Sequence, residues 1–531
     1  MTSQPLQALP LGTSDFAALR HQGQIYVDKT ALIHELASRR EKFLLTRPRR
    51  FGKSLLVSTF ESLFKHGLRD FHGLAIESLW TDTASYQVLR LDFSQVKNFS
   101  TAGEFQERLD LYLLDLMIRE GLHSPVPTST DGLRAFGNWL ATRPDNSVVL
   151  LIDEYDAPLT ACLDEARLFA QVRDKLSAFY ATLKSNDAAI RFFFMTGITK
   201  FNKTSIFSEL NNFSDLTLHT TYANLLGYTH SEVEHYFSGH LARAAEVLGT
   251  DLPKLLSDLT DHYDGFCFDR RASSRLFAPW SLLKFLDAPE EGWLDYWFES
   301  GGKPAALIRH LKSHSLRNPE AYGREKSISL SVLSGASDVD HLSDIGLLTQ
   351  AGYLTIRSVE FGDTVFVDYP NAEVRRAMAR LYTEQLLSGR SAGQVGAGPI
   401  VKVLSNGTAE ALLHILNRLF ASIEYDQYPV RNERTARAFV LVYMAGAGLS
   451  PSVEVHNHKG RSDLEVSVGN RHWMLEFKYC REGGNAEKLL QEALLQMRSR
   501  QCGAQTETGE LMRIALVFSE RERQFVKWAS A

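Results

Sequence analysis

The sequence predicts a multidomain α/β chain, and three observations carry that expectation. Between residues 25 and 220, four short apolar runs alternate with amphipathic helical stretches: KFLLT (42–46), QVLRLDF (87–93), VVLLIDE (148–154) and RFFFMTG (191–197). Runs that are apolar on both faces suit the strands of a parallel sheet with helices as crossovers. From about Leu225 to Leu386 such runs thin out, and helical patterns such as HSEVEHYFSGHLARAAEVL and APWSLLKFL take over. The Gly- and Ser-rich stretch SGRSAGQVGAGP (388–399) reads as a linker, and the α/β segment after it is of ordinary domain size. The expected organisation is therefore a sheet domain over 1–224, a helical middle region over 225–387, a linker over 388–399 and a second α/β domain over 400–531. Inside the middle region, Leu342 to Val367 reads helix, turn and two strands, the pattern of a small winged-helix-like unit.

Bulk properties narrow the classes. A chain of 531 residues, 44% hydrophobic and 23% charged, is globular and too long for one core. No repeat of fixed period marks a solenoid or propeller. No window approaches eighteen apolar residues and the first residues lack the features of a signal peptide, so a cytoplasmic protein without a membrane partner is expected. The four cysteines, at 162, 267, 480 and 502, form no CxxC pair, which points away from a zinc ribbon or a disulfide framework. A net charge of −5 argues against a uniformly basic nucleic-acid coat, although Arg47, Arg49 and Arg50 form a local cluster suited to phosphate.

The segment FLLTRPRRFGKSLLVSTFESLF sets a strand, a turn and a helix around Gly52-Lys53-Ser54. That order suits a phosphate-binding loop: backbone N–H groups and the helix N-terminus cradle phosphates, Lys53 reaches their terminal oxygens, and the Ser54 hydroxyl can bind Mg²⁺. Arg47 stands where the usual pattern has its first glycine, and Arg49 and Arg50 join the candidate phosphate ligands. A helix that merely starts after a glycine would give the same tripeptide. About a hundred residues on, a hydrophobic strand ends in Asp153-Glu154, where Asp153 can hold the Mg²⁺ shell and Glu154 can polarise an attacking water. A third strand ends in Thr196, the position for a γ-phosphate sensor. A buried strand often ends in solvated acids; it is the three elements in this order that favour an ATP site.

Near the other end, VEVHNHKGRSDLEVSVGNRHWMLEFKYC reads as a hairpin turning at Gly469-Asn470. Strand side chains alternate, so Glu476 and Lys478 share one face and Leu475 and Phe477 the other. If Asp463 opens the preceding strand on the same face, two carboxylates and a lysine meet. Asp463 and Glu476 are then candidate ligands for Mg²⁺ or Mn²⁺, and Lys478 a candidate for positioning water or offsetting charge at a phosphate. An exposed salt-bridged strand face is the competing reading.

Two resemblances add to this. The runs PLGTSDFAALRHQGQIYVDKTALI, RPRRFGKSLL, LIDEYDAPL and MTGITKF with SELNNFSDLT look like a bacterial AAA-ATPase-like family whose members are typically fused to a PD-(D/E)xK nuclease domain. The resemblance covers roughly the first 230 residues and implies an AAA-like P-loop fold in which RPRRFGKS is the family's own form of the loop; Asp28 and Lys29 match its pattern without a role that the residues reveal. GRSDLEV followed by WMLEFKY resembles the core of the PD-(D/E)xK superfamily over about residues 400–520, which implies a restriction-endonuclease-like fold. By that likeness its helix-borne acid maps to Glu433, its later glutamine to Gln496, and Glu454 also fits. The implied protein is an ATPase and metal-dependent phosphodiesterase that uses ATP and Mg²⁺ and acts on nucleic acid, DNA more than RNA. Genome defence or mobile-element control is the implied setting, with a homo-oligomer compatible with ATPases of this class. Two alternatives stay open: a nucleotide switch, or a loader, whose nuclease-like domain only binds nucleic acid or protein.

Overall fold

In the computed structural model the described residues are 6–124, 131–201, 213–298, 308–309, 311–312, 315–334, 343–391, 397–453, 456–457, 460–499 and 510–531. The chain forms two compact units, Met1–His310 with Glu325–Glu373, and Leu311–Arg324 with Val374–Ala531.

The first unit is built on a wholly parallel sheet of β1 (Lys42–Thr46), β2 (Gln87–Asp92), β3 (Val148–Asp153), β4 (Ile190–Gly197) and β5 (Phe213–Asp215), in the order β2-β3-β4-β1-β5. Its four long strands are the four apolar runs, and β3 is buried along its whole length. The phenylalanines of β4 pack as core: Phe192 and Phe194 lie 5.0 and 4.9 Å, centroid to centroid, from Phe60 of helix α1 (Lys53–His66). Burying each such ring is worth about 1.5–3 kcal/mol, which fixes α1 against the sheet. The strand order matters for chemistry. β4 lies between β1 and β3, with Leu45 paired to Thr196 and Ile152 to Met195. The carboxyl ends of all three strands therefore open at one edge, where α/β sheets bind ligands.

Beyond the sheet, helices His230–Tyr236, Ser238–Leu248, Leu252–Tyr263 and α2 (Pro279–Asp287) enclose a core of their own that also takes in Ile25 and Val27. This explains the YVDKT segment. Asp28 accepts hydrogen bonds from the Thr30 and Ala75 N–H groups at 2.8 and 2.7 Å, and Lys29 pairs with Glu232, the acid of a capping box opened by Thr229. Both residues tie the N-terminal segment to its neighbours. Helix α3 (Asp344–Gln350) is followed by β7 (Thr355–Glu360) and β8 (Thr364–Asp368), as read from the sequence; β6 (Lys326–Ser329) completes an antiparallel sheet ordered β6-β8-β7. Gly352, at φ +83°, sits so close to Pro48 that an added Cβ would lie 2.7 Å from its ring.

After lending Leu311–Arg324 to the second unit, the chain passes into it for good at Glu373/Val374, in the first turn of α4 (Ala372–Leu386). The described residues of the 388–399 stretch therefore fall within the second unit, while 392–396 lie outside the described residues. Its first glycine has a local cause: Gly389, at φ +87°, ends α4 by donating to the Glu384 carbonyl at 2.7 Å.

The second unit carries α5 (Glu433–Gly446) and a mixed sheet of β9 (Ser452–Val453), β12 (Leu464–Val468), β13 (Arg471–Cys480), β14 (Glu510–Ser519) and β15 (Gln524–Ser530), ordered β15-β14-β13-β12-β9; β10 (His456–Asn457) and β11 (Gly460–Arg461) form a separate ribbon. The expected hairpin is β12 and β13, turning at Gly469 with φ +59°. Helix α6 (Ala486–Ser499) buries Leu490, Ala493, Leu494 and Met497, an i, i+3, i+4, i+7 stripe, against Cys480, Ala515 and Val517. Cys162, Cys267 and Cys480 are buried free thiols. Among the described residues, no helix is long and apolar enough to cross a membrane.

Candidate active sites

At the open edge of the first sheet, β1 runs into Arg47-Pro48-Arg49-Arg50-Phe51-Gly52 before α1 begins at Lys53. Arg47, expected beside phosphate, is corrected by the structure. Its side chain turns inward and is 1% exposed. Its Nη1 donates to the carbonyls of Thr46 and Thr217 at 2.9 and 2.8 Å, its Nη2 donates to that of Tyr222 at 3.3 Å, and the guanidinium lies 4.3 Å from the centre of the Phe268 ring. Burial lowers its pKa to about 9. Arg47 thus braces the loop from behind, filling by side-chain bonding the place where the common pattern uses a flexible glycine. Positive φ is taken up later, by Arg50 at 66° and Gly52 at 90°.

Arg49, Arg50, Gly52, Lys53, Ser54 and Glu154 line one cleft of about 400 Å³. Lys97 adds a further cation, and Pro10, Tyr228, Pro279, Trp280 and Leu283 add apolar lining. Cationic groups beside flat apolar surface suit a nucleotide, and the volume is in the usual range for small-molecule pockets. The Lys53 ammonium donates to the carbonyls of Arg47 and Pro48 at 3.0 and 2.9 Å. Burial pushes its pKa down, and Asp153, Asp156 and Glu154 pull it back. Arg50 stacks on Trp280, 3.8 Å from the ring centre. Besides Arg47 Nε on the inner side, three donors around this edge, Arg49 Nε, Trp280 Nε1 and Thr196 Oγ1, are buried with no hydrogen-bond partner among the described residues. Orphaned donors are costly and fit a polyanionic ligand that would satisfy them.

The acids after β3 divide their work. Asp153 is 3% exposed and accepts the Glu154 N–H on Oδ1 at 3.0 Å. Glu154, at φ +49°, makes the bend that brings it to the cleft. Asp153 and Thr196 stand at the neighbouring strand ends, outside the set of residues that line the cleft. Sequence reading missed Tyr155 and Asp156. Asp156 Oδ2 accepts the N–H groups of Ile198 and Thr199 at 3.1 and 2.7 Å, and the Tyr155 hydroxyl donates to the Thr199 carbonyl at 2.8 Å. Together they clamp the chain that leaves β4. Gly197 is glycine because a Cβ there would press on Asp156 Oδ1 and lie 2.7 Å from the Tyr155 ring. Burial raises the Asp156 pKa to about 6, against the two N–H groups that favour its charged form.

In the second unit, Leu464 pairs with Leu475, which carries Asp463 to the place opposite Glu476. Asp463 Oδ2 accepts the Phe477 N–H at 2.9 Å. Glu476, 3% exposed, receives Lys478 at 3.5 Å and the Gln496 side-chain amide, both on Oε1. Glu433, the first residue of α5, approaches Lys478 at 3.9 Å with its side chain 47% exposed. The N-cap Asn432 sets that helix start by accepting the Thr435 N–H at 2.9 Å. Residues drawn from two helices and strand β13 therefore meet at Glu476 and Lys478, with Asp463 opposite Glu476 just before β12. Glu454 lies outside the described residues. Sequence reading also passed over Arg437, whose Nη1 lies 3.2 Å from Asp463 Oδ1. The signal was there: it follows Glu433 by four residues, at the edge of the uncharged run AFVLVYMAG.

The donor set bears on the metal. Among the described residues no three His, Cys, Asp or Glu side chains cluster as a cation cage. Two facing carboxylates suit Mg²⁺ or Mn²⁺, which keep waters and share substrate phosphates, better than a closed zinc site.

Comparisons with known proteins find a family match in each unit. The model of a predicted AAA-ATPase family matches residues 10–207, and that of a PD-(D/E)XK nuclease superfamily matches residues 431–528. An uncharacterized protein in the vnfD 5′ region of Azotobacter chroococcum mcd 1 is 29% identical over 486 residues, covering 88% of this chain and 89% of that protein. The chain carries an AAA-ATPase-like domain in its first unit and a PD-(D/E)XK nuclease superfamily domain in its second.

Proposed function

We propose that this protein binds and hydrolyses ATP in its first unit and, in its second, cuts DNA or RNA with the help of Mg²⁺ or Mn²⁺. The meeting of Asp463, Glu476 and Lys478 with Gln496 and Glu433 carries the nuclease half: a merely solvated strand face has no reason to gather a glutamine and a glutamate from separate helices. Asp463 and Glu476 would hold the ion. What Mg²⁺ or Mn²⁺ supplies when bound there is charge neutralisation at the phosphate and acidification of water. Lys478 would orient the attacking water or face the charge that develops on the phosphate. In the first unit, Lys53, Arg49 and Arg50 would receive the phosphates, Ser54 and Asp153 the accompanying Mg²⁺, and Glu154 the attacking water, with Thr196 facing the terminal phosphate. Genome defence or control of mobile elements is the setting that fits an ATP-governed nuclease, inside a cell and as a homo-oligomer.

The test incubates wild-type, Asp463→Ala and Lys53→Ala proteins with plasmid, linear duplex, single-stranded DNA and RNA, in Mg²⁺ or Mn²⁺, with and without ATP. Cleavage that Asp463→Ala loses, and whose ATP dependence Lys53→Ala alters, is the expected result. Intact ATP hydrolysis with no cleavage of any substrate would replace the reading by a nucleotide switch with a nucleic-acid or protein-binding module.

A further inference from the structure

Arg437 holds a place in the second site that neither strand motif accounts for. It lies one turn after Glu433 on α5, so the two project from the same face. Its guanidinium meets Asp463 Oδ1 at 3.2 Å, and both side chains are withdrawn from water, at 13% and 19% exposed. Asp463 Oδ2 is already engaged by the Phe477 N–H at 2.9 Å. The neighbouring acid has a cation too, since Lys478 lies 3.5 Å from Glu476 Oε1. Each carboxylate suited to a metal thus faces a positive side chain of its own: Arg437 for Asp463, Lys478 for Glu476.

Resting on the nuclease reading above, we propose that Arg437 is a positioning residue that stands in for the divalent ion at Asp463 and passes to the phosphate of the nucleic acid when ion and substrate load together. Charge drives the exchange. A divalent ion and a guanidinium at one partly buried carboxylate repel each other. A phosphodiester relieves that repulsion by offering oxygens to both, and the planar fork of arginine matches phosphate geometry. The protein alone is therefore a weak metal binder, and by linkage metal and phosphate backbone each tighten the other.

The experiment measures Mn²⁺ binding to the EDTA-stripped, nucleotide-free full chain by the paramagnetic resonance signal of free Mn²⁺, with Asp463→Ala defining the C-terminal site. Arg437→Met is expected to bind Mn²⁺ about tenfold more tightly than wild type, on the scale of outer-shell effects on metal affinity. Arg437→Lys keeps the charge and should stay near wild type. If Arg437→Met unfolds the domain, Arg437→Gln, which keeps a donor for Asp463 without the charge, takes its place with the same expectation. An uncharged variant no tighter than wild type, or a lysine variant that gains as much, overturns the proposal. Mn²⁺ binding indifferent to Asp463→Ala would instead remove the metal site, and the nuclease reading with it.

Discussion

The two candidate sites keep their lysines in opposite company. Lys53 donates to two neutral carbonyls of its own loop, in a cleft where Arg49, Arg50 and Lys97 outnumber Glu154. Lys478 lies between Glu476 and Glu433, beside an Asp463 that is itself held by Arg437. The first site gathers cations, and its buried donors without a partner among the described residues are of the kind an anion would satisfy. The second has carboxylates already neutralised from within, so an incoming cation must compete. On the proposed function phosphate chemistry runs through both, the first site meeting phosphate directly and the second by way of acids that gather positive charge.

The strongest way to break that comparison is Lys53→Ala. Loss of a preorganised donor to the transferred phosphate is expected to cut ATP turnover by about a thousandfold, measured as steady-state phosphate release. Near-normal turnover would mean that the cleft's surplus of cations serves something other than ATP. Mn²⁺ binding at the C-terminal site should be unaffected.

Asp156 tests the same cleft from behind. Its pKa is raised to about 6 from an ordinary 3.8, with burial as the main cause. An acid whose folded pKa is raised holds its proton in the folded state while the unfolded chain has lost it. Stability is then greatest below about pH 4 for this group and is lost as pH rises to about 6, a difference of about 3 kcal/mol. Asp156→Asn keeps an acceptor for the Ile198 and Thr199 N–H groups and removes the ionisation. Denaturant unfolding of wild type and variant at pH 4 to 7 should show the variant gaining on wild type across that window. Parallel pH curves would show that Asp156 is not the buried acid the geometry makes it.

Much of this was legible in the sequence, and the failures have physical causes. Of the four long strands of the first sheet, β1, β3 and β4 were readable because burial on both faces leaves apolar runs, and β2 by Val88, Leu89 and Leu91 despite Arg90 at the sheet edge; the C-terminal hairpin was readable because Gly469-Asn470 breaks two β-rich runs. The winged unit lacked β6, since KSIS has only four residues and one apolar side chain among them. Arg47 was misplaced because a basic cluster next to a phosphate loop gives no sign of which member turns inward; that depends on the carbonyls of Thr217 and Tyr222, some 170 residues away. The spacing of Arg437 from Glu433 was visible, but its role was hidden for a related reason. An arginine in an apolar helix reads as a solvated edge until Asp463 is brought to it by folding.

The smallest expected effect sharpens the cation side. Gln496 was placed by resemblance alone, and in the fold its side-chain amide donates to Glu476 Oε1, the oxygen that Lys478 approaches at 3.5 Å. Glu476 is 3% exposed, so no water readily replaces a lost donor. Without Gln496 the carboxylate keeps Lys478 as its cation but loses the bond that fixes its orientation from α6. Gln496→Ala is therefore expected to lower cleavage by about tenfold, the low end for a partner that orients a metal-binding carboxylate, with part of the loss recovered by raising Mg²⁺. Gln496→Met fills similar volume without an amide and should match the alanine variant. Were it instead to match wild type, Gln496 would act by packing against Glu476, and the strand alone would suffice to aim that acid.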